Sequence, residues 1–257
     1  MKRFFQKLKQ VLGLSLAIAK AEFKLRNEGS YLGILWYLLN PLLMFGLLLL
    51  IFSTRLGTDI PSYPIYLLLG IVMFNFFQSS TIESTKSIIK EDAGIIKSIN
   101  FQKESLIFAI ILKSLFSHFF EILLFAILLI VFKINLVLIL AYLPMLVLLS
   151  FFTLGVSLIL SSLTVYFVDL ENIWNFAVRL IWFGTPIFYA IEGQTRLFYL
   201  NLFNPMFYFI TTAREIIIYS NLPQIWLILG CVFYSLLFLF AGLILFNKLK
   251  NKFAEMI

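Results

Sequence analysis

The stretch ESTKSIIKEDAGIIKSINFQKE, residues 83–104, is a charged segment between two long apolar runs. Its isoleucines recur at the spacing of one helix face, which is typical of a short amphipathic helix outside a bilayer. A solvated loop between two membrane spans fits the same pattern, and both interpretations stay open on spacing alone. The isoleucines concerned are Ile88, Ile89, Ile95, Ile96 and Ile99.

The composition is that of an integral membrane protein, with 61% hydrophobic residues, 13% charged residues and a mean hydropathy of +0.99. Because a spanning helix needs about 20 residues, the 257 residues provide for about six spans in one membrane domain, residues 1–257. The net charge of +7 indicates orientation and lipid contact and not nucleic-acid binding. The single cysteine, Cys231, cannot form an intramolecular disulfide.

Residues 1–30 place basic and apolar side chains at the spacing of a basic amphipathic helix, which predicts a segment lying on the membrane surface. A secretory signal peptide has a similar outline, since an apolar run and the triplet Ala17-Ile18-Ala19 follow a basic start. The run ends in charged residues from Lys20 to Arg26, which favours a cytoplasmic anchor that leads into the first span.

Six apolar runs predict an all-α fold with six transmembrane helices. At the entrance of the first run, Tyr31 and Trp36 are expected at interfacial depth. Within it, the proline of Asn40-Pro41 frees a backbone carbonyl that neighbouring helices or a wet cavity must cover. The predicted spans are about 35–53, 65–81, 106–132, 136–166, 172–190 and 225–246.

Residues 191–223 contain no uninterrupted apolar stretch long enough to span a bilayer. Two shorter apolar pieces meet at Asn204-Pro205, which predicts a re-entrant helical hairpin at the outer face. A pair of amphipathic helices lying on the surface is the alternative, and the pattern does not decide between them.

The third span carries a polar stripe of Lys113, Ser114, Ser117, His118 and Glu121. Ionisable groups within a bilayer are costly, so the stripe should face other helices or an aqueous path. A proton relay or a substrate lining is one interpretation. We favour the other, in which Lys113 pairs with Glu121 near an interface and His118 is a hydrogen-bonded core residue.

The fifth span has a second polar stripe, formed by Asn172, Asn175 and Arg179 on one helix face. Arg179 lies about two turns inside the span. It can contact an anionic headgroup or phosphate, or pair with Asp169 or Glu171, and both possibilities stay open.

The positive charges predict the orientation of the chain. With the N-terminus in the cytoplasm, fourteen Lys and Arg side chains lie on that side, in residues 1–26, residues 83–104 and the C-terminus. Four lie on the other side: Arg55, Lys133, Arg196 and Arg214. Both termini and the segment 83–104 are therefore expected in the cytoplasm.

The sequence contains no phosphate-binding loop, no metal-ligand spacing and no nucleophile and base set beside His118. We therefore expect the chain not to be an enzyme. An ion-coupled transporter that uses Lys113, His118 and Glu121 is an alternative, and an intramembrane enzyme acting on lipid-linked sugar would have to depend on His118.

Four motifs carry a family resemblance: YLGILWYLLNP at 31–41, AGIIK at 93–97, TPIFY at 185–189, and Asn204-Pro205 with Arg214. In these, the chain resembles the ABC-2 type permeases that export polysaccharides, and within them the O-antigen exporters of the Wzm group. The resemblance covers nearly the whole chain in order. Export of capsular polysaccharide or teichoic acid by the same kind of permease is the alternative.

The resemblance implies a homodimer in the bacterial cytoplasmic (inner) membrane, joined to two copies of a separate ATPase that binds ATP and Mg. A lipid-linked polysaccharide would pass between the permeases. This chain would bind no cofactor itself, and its energy would enter through a coupling helix at about 88–99. Helices that form an outer gate would lie at about 197–220.

Three groups of residues follow from this resemblance. The residues expected to transmit ATPase motion are Ile88, Ile89, Gly94, Ile95, Ile96, Lys97 and Ile99. Those expected to contact the conduit or the lipid headgroup are Tyr31, Trp36, Asn40, Asn175 and Arg179. Those expected in the outer gate are Asn204, Pro205, Phe207, Tyr208 and Arg214.

Overall fold

The computed structural model describes residues 2–28, 31–54, 60–87, 102–167, 169–191, 194–250 and 253. Within these ranges the chain is helical and forms no β-strand. The predicted coupling helix lies outside the described residues, and so do its residues Ile88, Ile89, Gly94, Ile95, Ile96, Lys97 and Ile99.

The α-helices of the described residues are numbered in chain order. They are α1 (Lys2–Glu28), α2 (Trp36–Phe52), α3 (Tyr63–Lys86), α4 (Glu104–Val131), α5 (Tyr142–Thr164), α6 (Leu170–Gly184), α7 (Thr195–Asn201), α8 (Pro205–Ile217) and α9 (Ile225–Leu249). Short 3-10 helices at Gly33–Leu35 and Leu136–Ala141 precede α2 and α5.

Each of the six predicted spans contains a helix. Four of them are long and apolar enough to cross a bilayer: α3, α4, α9, and α5 together with its preceding 3-10 turns. Helix α2 is apolar but has 17 residues, and α6 has 15. At 1.5 Å per residue α6 is about 22 Å long, shorter than the roughly 30 Å of a hydrocarbon core.

One predicted boundary was wrong. The fifth helix ends at Gly184 and not near residue 190, because Pro186 disfavours helical backbone at Thr185, which is extended. The fourth span begins at Leu136 as predicted, first as a 3-10 helix and from Tyr142 onward as an α-helix. The early end of α6 leaves residues 185–191 as non-helical backbone.

Helix α3 forms the centre of the molecule and is buried along most of its length. Its aromatic side chains contact three different helices. The Phe74 ring lies 5.0 Å from Trp182 of α6, and the Phe77 ring stacks 5.4 Å from Phe152 of α5. The Phe76 ring lies 5.1 Å from His118 of α4. Because α3 is buried on all sides, the first half of its sequence is almost uniformly apolar.

Helix α1 packs along α4 and is fixed there by aromatic rings. The Phe23 ring stacks on Tyr37 of α2 at 5.6 Å and lies parallel to Phe120 of α4 at 6.5 Å. The predicted N-terminal helix is therefore present, and it contacts the start of α2 as well as α4.

Helices α5 and α9 approach so closely that their backbones touch. A Cβ atom on Gly155 would lie 2.3 Å from the backbone carbon of Phe238, and one on Gly242 would lie 2.4 Å from the carbonyl oxygen of Gly155. Near the same crossing, the Ser235 hydroxyl donates a hydrogen bond to Leu148 O at 2.8 Å. Only glycine fits at this crossing, because the neighbouring atoms belong to backbone.

We expect Gly155→Ala to destabilise the protein by about 1–3 kcal/mol, since the added methyl group must push two helices apart. The measurement is the midpoint of thermal unfolding of the purified protein in detergent. Gly13→Ala is the matched control, because a Cβ at Gly13 meets nothing within 4 Å. An unchanged midpoint for Gly155→Ala would show that the two helices are not in backbone contact.

Candidate functional site

The non-helical segment 185–191, which follows α6, is held by side chains of α3 and α8. The Tyr63 hydroxyl donates to Phe188 O at 2.9 Å. The Tyr66 hydroxyl donates to Tyr189 O at 2.8 Å and lies 3.4 Å from Pro186 O. Two tyrosines one turn apart on α3 thus donate hydrogen bonds to backbone carbonyls of segment 185–191, which have no partner within a helix.

Arg214 of α8 completes this arrangement and is only 3% exposed. Its Nη1 donates to Pro186 O at 2.5 Å, and its Nη2 donates to Ile187 O at 2.8 Å and to Tyr66 O at 2.9 Å. Its guanidinium carbon lies 3.3 Å from the centre of the Tyr66 ring, a cation–π contact. We call Tyr63, Tyr66 and Arg214 the carbonyl clamp.

The carbonyl clamp provides hydrogen-bond donors to backbone that is not helical. Buried carbonyl groups need such partners, because an unpaired one costs free energy. Here the four successive carbonyls from Pro186 to Tyr189 each accept a side-chain hydrogen bond. Gly70 makes room for the guanidinium, because a Cβ there would lie 2.7 Å from Nη2 of Arg214.

Helices α7 and α8 are separated by a break at Asn204-Pro205, where the sequence predicted one, and their rings Phe198 and Phe207 lie 6.4 Å apart; we call this helix pair the hairpin. The Asn204 Oδ1 accepts from the backbone N–H of Met206 at 3.1 Å, which caps α8, and Pro205 occupies its first turn. The Asn204 Nδ2 donates to Thr185 Oγ1 at 2.8 Å. Asn204 therefore ties the hairpin to the start of segment 185–191.

The other predicted gate residues face the start of α9. The Phe207 ring lies 6.3 Å from Trp226 with the two planes inclined by 29°, and the Tyr208 ring meets Trp226 edge-on at 5.8 Å. Tyr208 also donates to Leu202 O at 2.9 Å. A Cβ on Gly230 would lie 2.0 Å from the Tyr208 ring, so α9 touches the hairpin at this point.

At the opposite end of α3, Lys113 of α4 forms ion pairs with two carboxylates. Its Nζ lies 2.6 Å from Glu22 Oε2 of α1 and also contacts Glu83 Oε1 of α3. The predicted pairing of Lys113 with Glu121 was wrong. Spacing along one helix cannot show that carboxylates from two other helices lie nearer. We call Lys113, Glu22 and Glu83 the ion triad.

His118 is a hydrogen-bonded core residue, as the favoured interpretation predicted, and it is 1% exposed. Its Nδ1 lies 2.8 Å from Glu121 Oε2, and its Nε2 lies 2.8 Å from the Tyr142 hydroxyl. Both ring nitrogens therefore have partners inside the protein. Within the described part of the chain, no group of three metal-ligating side chains occurs.

The start of α4 is tied to the end of α9. Lys250 Nζ lies 2.5 Å from Glu104 Oε1, and Lys103 Nζ donates to Lys250 O at 2.9 Å. Lys103 also lies 5.5 Å from the centre of the Phe253 ring. The pKa of Lys103 is lowered, mainly because the side chain is partly buried. The Glu104 carboxylate opposes this effect, and the Lys250 ammonium adds to it. Lys103, which directly precedes α4, is thus held in place by the C-terminal end of α9.

Most of the residues predicted to contact the conduit or headgroup are exposed in the single chain. Tyr31, Trp36, Asn40 and Arg179 are exposed. Asn175 is half-buried and donates to the backbone of α6 at Glu171 O. Of the two interpretations left open for Arg179, the ion pair with Asp169 or Glu171 is not found among the described residues, where Glu171 lies 3.6 Å from Lys86.

The family of the chain follows from its match to a known protein family. The family described as ABC-2 type transporter matches residues 14–218, which is most of the chain and includes α2 through α8. The chain belongs to the ABC-2 type transporter family. It is an integral membrane permease of that family, and the carbonyl clamp and the hairpin both lie within or at the end of the matched region.

Curated relatives of this ABC-2 permease match over almost its whole length. It is 26% identical to the O-antigen export system permease protein RfbA of Myxococcus xanthus, with 99% of both chains covered. It is 29% and 28% identical to two proteins of that name from Klebsiella pneumoniae, with 98% of this chain and 99% of each relative covered.

The partners of Arg214 and of Lys113 were not predicted from the sequence. The spacing of Tyr63 and Tyr66, one turn apart at the entrance of the second span, was a signal for the carbonyl clamp of the ABC-2 permease. No local signal links Glu22 and Glu83 to Lys113, because the three residues are distant in the sequence. They meet only because α1 and α3 both pack against α4.

Proposed function

We propose that the chain is the permease subunit of an ATP-driven exporter that moves a lipid-linked polysaccharide of the O-antigen type across the bacterial cytoplasmic membrane. The observation that carries this proposal is the similarity to three O-antigen export permeases over 98–99% of the chain. Capsular polysaccharide or teichoic acid is the alternative cargo for the same kind of permease.

In this proposal α2, α3, α4, α5, α6 and α9 are the six spans, and both termini lie in the cytoplasm. The excess of Lys and Arg in residues 1–26 and 83–104 supports that orientation. The hairpin α7–α8 then lies at the outer face as a re-entrant gate. Its support is the carbonyl clamp, whose buried hydrogen bonds are those that irregular backbone at bilayer depth needs.

The functional unit in this proposal is a homodimer. Helix α6 exposes the apolar side chains of Ile173, Phe176, Leu180 and Phe183, together with the polar Asn172 and Arg179. An arginine facing lipid within a span is costly. A second copy of the chain, with a polar conduit between the copies, would cover these side chains and give Arg179 an anionic contact such as the lipid pyrophosphate.

The energy source is a separate ATPase, present in two copies, which binds ATP and Mg. The sequence itself contains no phosphate-binding loop. Residues 88–99 would dock on this ATPase as the coupling helix, with Ile95 and Ile96 at the contact. The segment leads from α3 into α4, so its displacement would act on both helices.

We expect Ile95→Asp and Ile96→Asp to abolish ATP-driven export, because a charge in an apolar docking surface is costly to desolvate. The measurements are co-purification of the ATPase with this chain and the appearance of polysaccharide at the cell surface. Leu25→Asp is the control, since Leu25 is exposed near the end of α1. Intact assembly and export in both isoleucine variants would contradict the coupling assignment.

A second readout separates this proposal from an ion-coupled transporter that uses Lys113, His118 and Glu121. Liposomes that contain only this chain should show no uptake driven by a pH gradient. Uptake that is lost on His118→Ala would favour the ion-coupled alternative. The support for a structural role is that each of these side chains has a partner within the protein.

A further inference from the structure

A recess of about 970 Å³ opens beside the carbonyl clamp, between the hairpin α7–α8, segment 185–191 and the start of α9. Its volume lies at the upper end of the roughly 300–1,000 Å³ of typical ligand sites. The recess is therefore large enough for several linked sugar rings and much larger than a site for an ion.

One wall of the recess is a group of three aromatic rings. The ring centres of Phe207 and Trp226 lie 6.3 Å apart with their planes inclined by 29°, and Phe198 stands edge-on to them at 6.4 and 6.2 Å. Phe198 is 37% exposed, so part of its ring is open to a ligand. Flat aromatic surfaces bind the apolar C–H face of a sugar ring, since both surfaces lose water on contact.

The rim of the recess carries side-chain amides from Gln194, Asn221 and Gln224. An amide both donates and accepts hydrogen bonds, which matches a ligand made of hydroxyl groups. The Gln224 Oε1 accepts from Trp226 Nε1, which turns its NH2 group toward other acceptors. Among the described residues, the side chains of Gln194 and Asn221 have no hydrogen-bond partner, so they are available to a ligand.

The charges of the recess favour an uncharged ligand over a multiply charged one. Among the described residues that line it, the charged side chains are Arg214 and Glu215, one of each sign. The terminal nitrogens of Arg214 donate to three backbone carbonyls, and its Nε has no hydrogen-bond partner in the described part of the protein. The charge of this one cation is offset by the Glu215 carboxylate in the same lining, so a pyrophosphate would bring several negative charges to a recess without net positive charge.

We propose that this recess binds an uncharged sugar segment of the exported glycan, with one ring against Phe198 and Trp226 and its hydroxyls on the amides of the rim. The inference rests on the proposed function, because that function supplies the glycan. It adds a glycan-binding site at the hairpin end of each copy of the chain, and this site recognises sugar rings and not the lipid pyrophosphate.

The test is saturation-transfer NMR on the full chain with its ATPase in lipid nanodiscs. The probes are surface polysaccharide from native cells, delipidated by mild acid, and inorganic pyrophosphate. We expect transfer to the polysaccharide and none to pyrophosphate. Phe198→Ala should weaken binding about fivefold through loss of one ring contact, and Thr211→Trp, which fills the recess, should abolish it. Phe203→Ala is the matched control, because Phe203 is exposed outside the recess on the same hairpin.

Two results would overturn the inference: no transfer to the polysaccharide with the unmodified complex, or equal transfer with Phe198→Ala, Thr211→Trp and Phe203→Ala. A lipid acyl chain that occupies the recess in an experimental structure would also overturn it. Export by the unmodified complex is measured separately in cells. If export continues while the recess binds no sugar, the inference fails and the proposed function stands. Absence of export would refute the proposed function itself.

Discussion

Arg214→Leu lowers the free energy of unfolding by more than about 3 kcal/mol, which makes it one of the two most damaging single changes we expect. It removes the donor to Ile187 O, and a buried backbone carbonyl without a partner costs about 1–3 kcal/mol. It also removes the hydrogen bonds to Pro186 O and Tyr66 O and the contact with the Tyr66 ring. Arg214→Lys should recover only part of this loss, because an ammonium lacks the planar fork of a guanidinium.

The measurement for Arg214 is thermal unfolding in detergent, combined with the rate at which a protease cuts residues 185–204. Arg196→Leu is the matched control, since Arg196 is an exposed arginine on α7 of the same hairpin. We expect the control to unfold like the unmodified protein. Equal stability and equal cleavage of Arg214→Leu and Arg196→Leu would show that segment 185–191 does not depend on the clamp.

Lys113→Leu is the second change with a large expected effect, about 3–5 kcal/mol, because it leaves two partly buried carboxylates without their cation. Helix α1 should detach from α3 and α4 first, since the Glu22 carboxylate of α1 is held by Lys113. The measurements are thermal unfolding and protease cleavage within α1. A triple variant that also carries Glu22→Gln and Glu83→Gln should recover much of the loss, because the unpaired charges are then gone.

Lys24→Leu controls for the loss of a lysine in an ion pair. Lys24 pairs with Glu28 at 3.3 Å, but both side chains are largely exposed, and such surface pairs contribute about 0–1 kcal/mol. If Lys113→Leu is no more damaging than Lys24→Leu, or if the triple variant is as unstable as Lys113→Leu alone, the ion triad does not hold the three helices together.

The helices could be predicted from the sequence because each is an apolar run of suitable length, and a run needs no knowledge of its neighbours. The break at Asn204-Pro205 was equally local, since an Asn cap and a Pro at the first helical turn act within a few residues. The end of α6 was missed although Pro186 signals it, because apolar residues continue to Ala190 and hide the change of backbone.

Several residues of the candidate site could be predicted from the sequence, but the residues that they contact could not. The resemblance singled out Arg214 and Asn204, but their partners Tyr66, Ile187 and Thr185 belong to other segments of the chain. Long-range pairing depends on how helices pack, and the spacing of residues along the chain does not reveal it. For the same reason Lys113 was assigned to a carboxylate on its own helix and is bound by carboxylates of two others.

Helix α9 makes a single rigid connection between the two ends of the protein. Its 25 residues extend about 37 Å, with Gly230 against Tyr208 of the hairpin near one end and Lys250 on Glu104 just beyond the other. Its middle is fixed to α5, where Gly155 and Gly242 let the two backbones touch. Through α9, the start of α4 and the hairpin are therefore in contact with the same helix, which offers a continuous mechanical path between them.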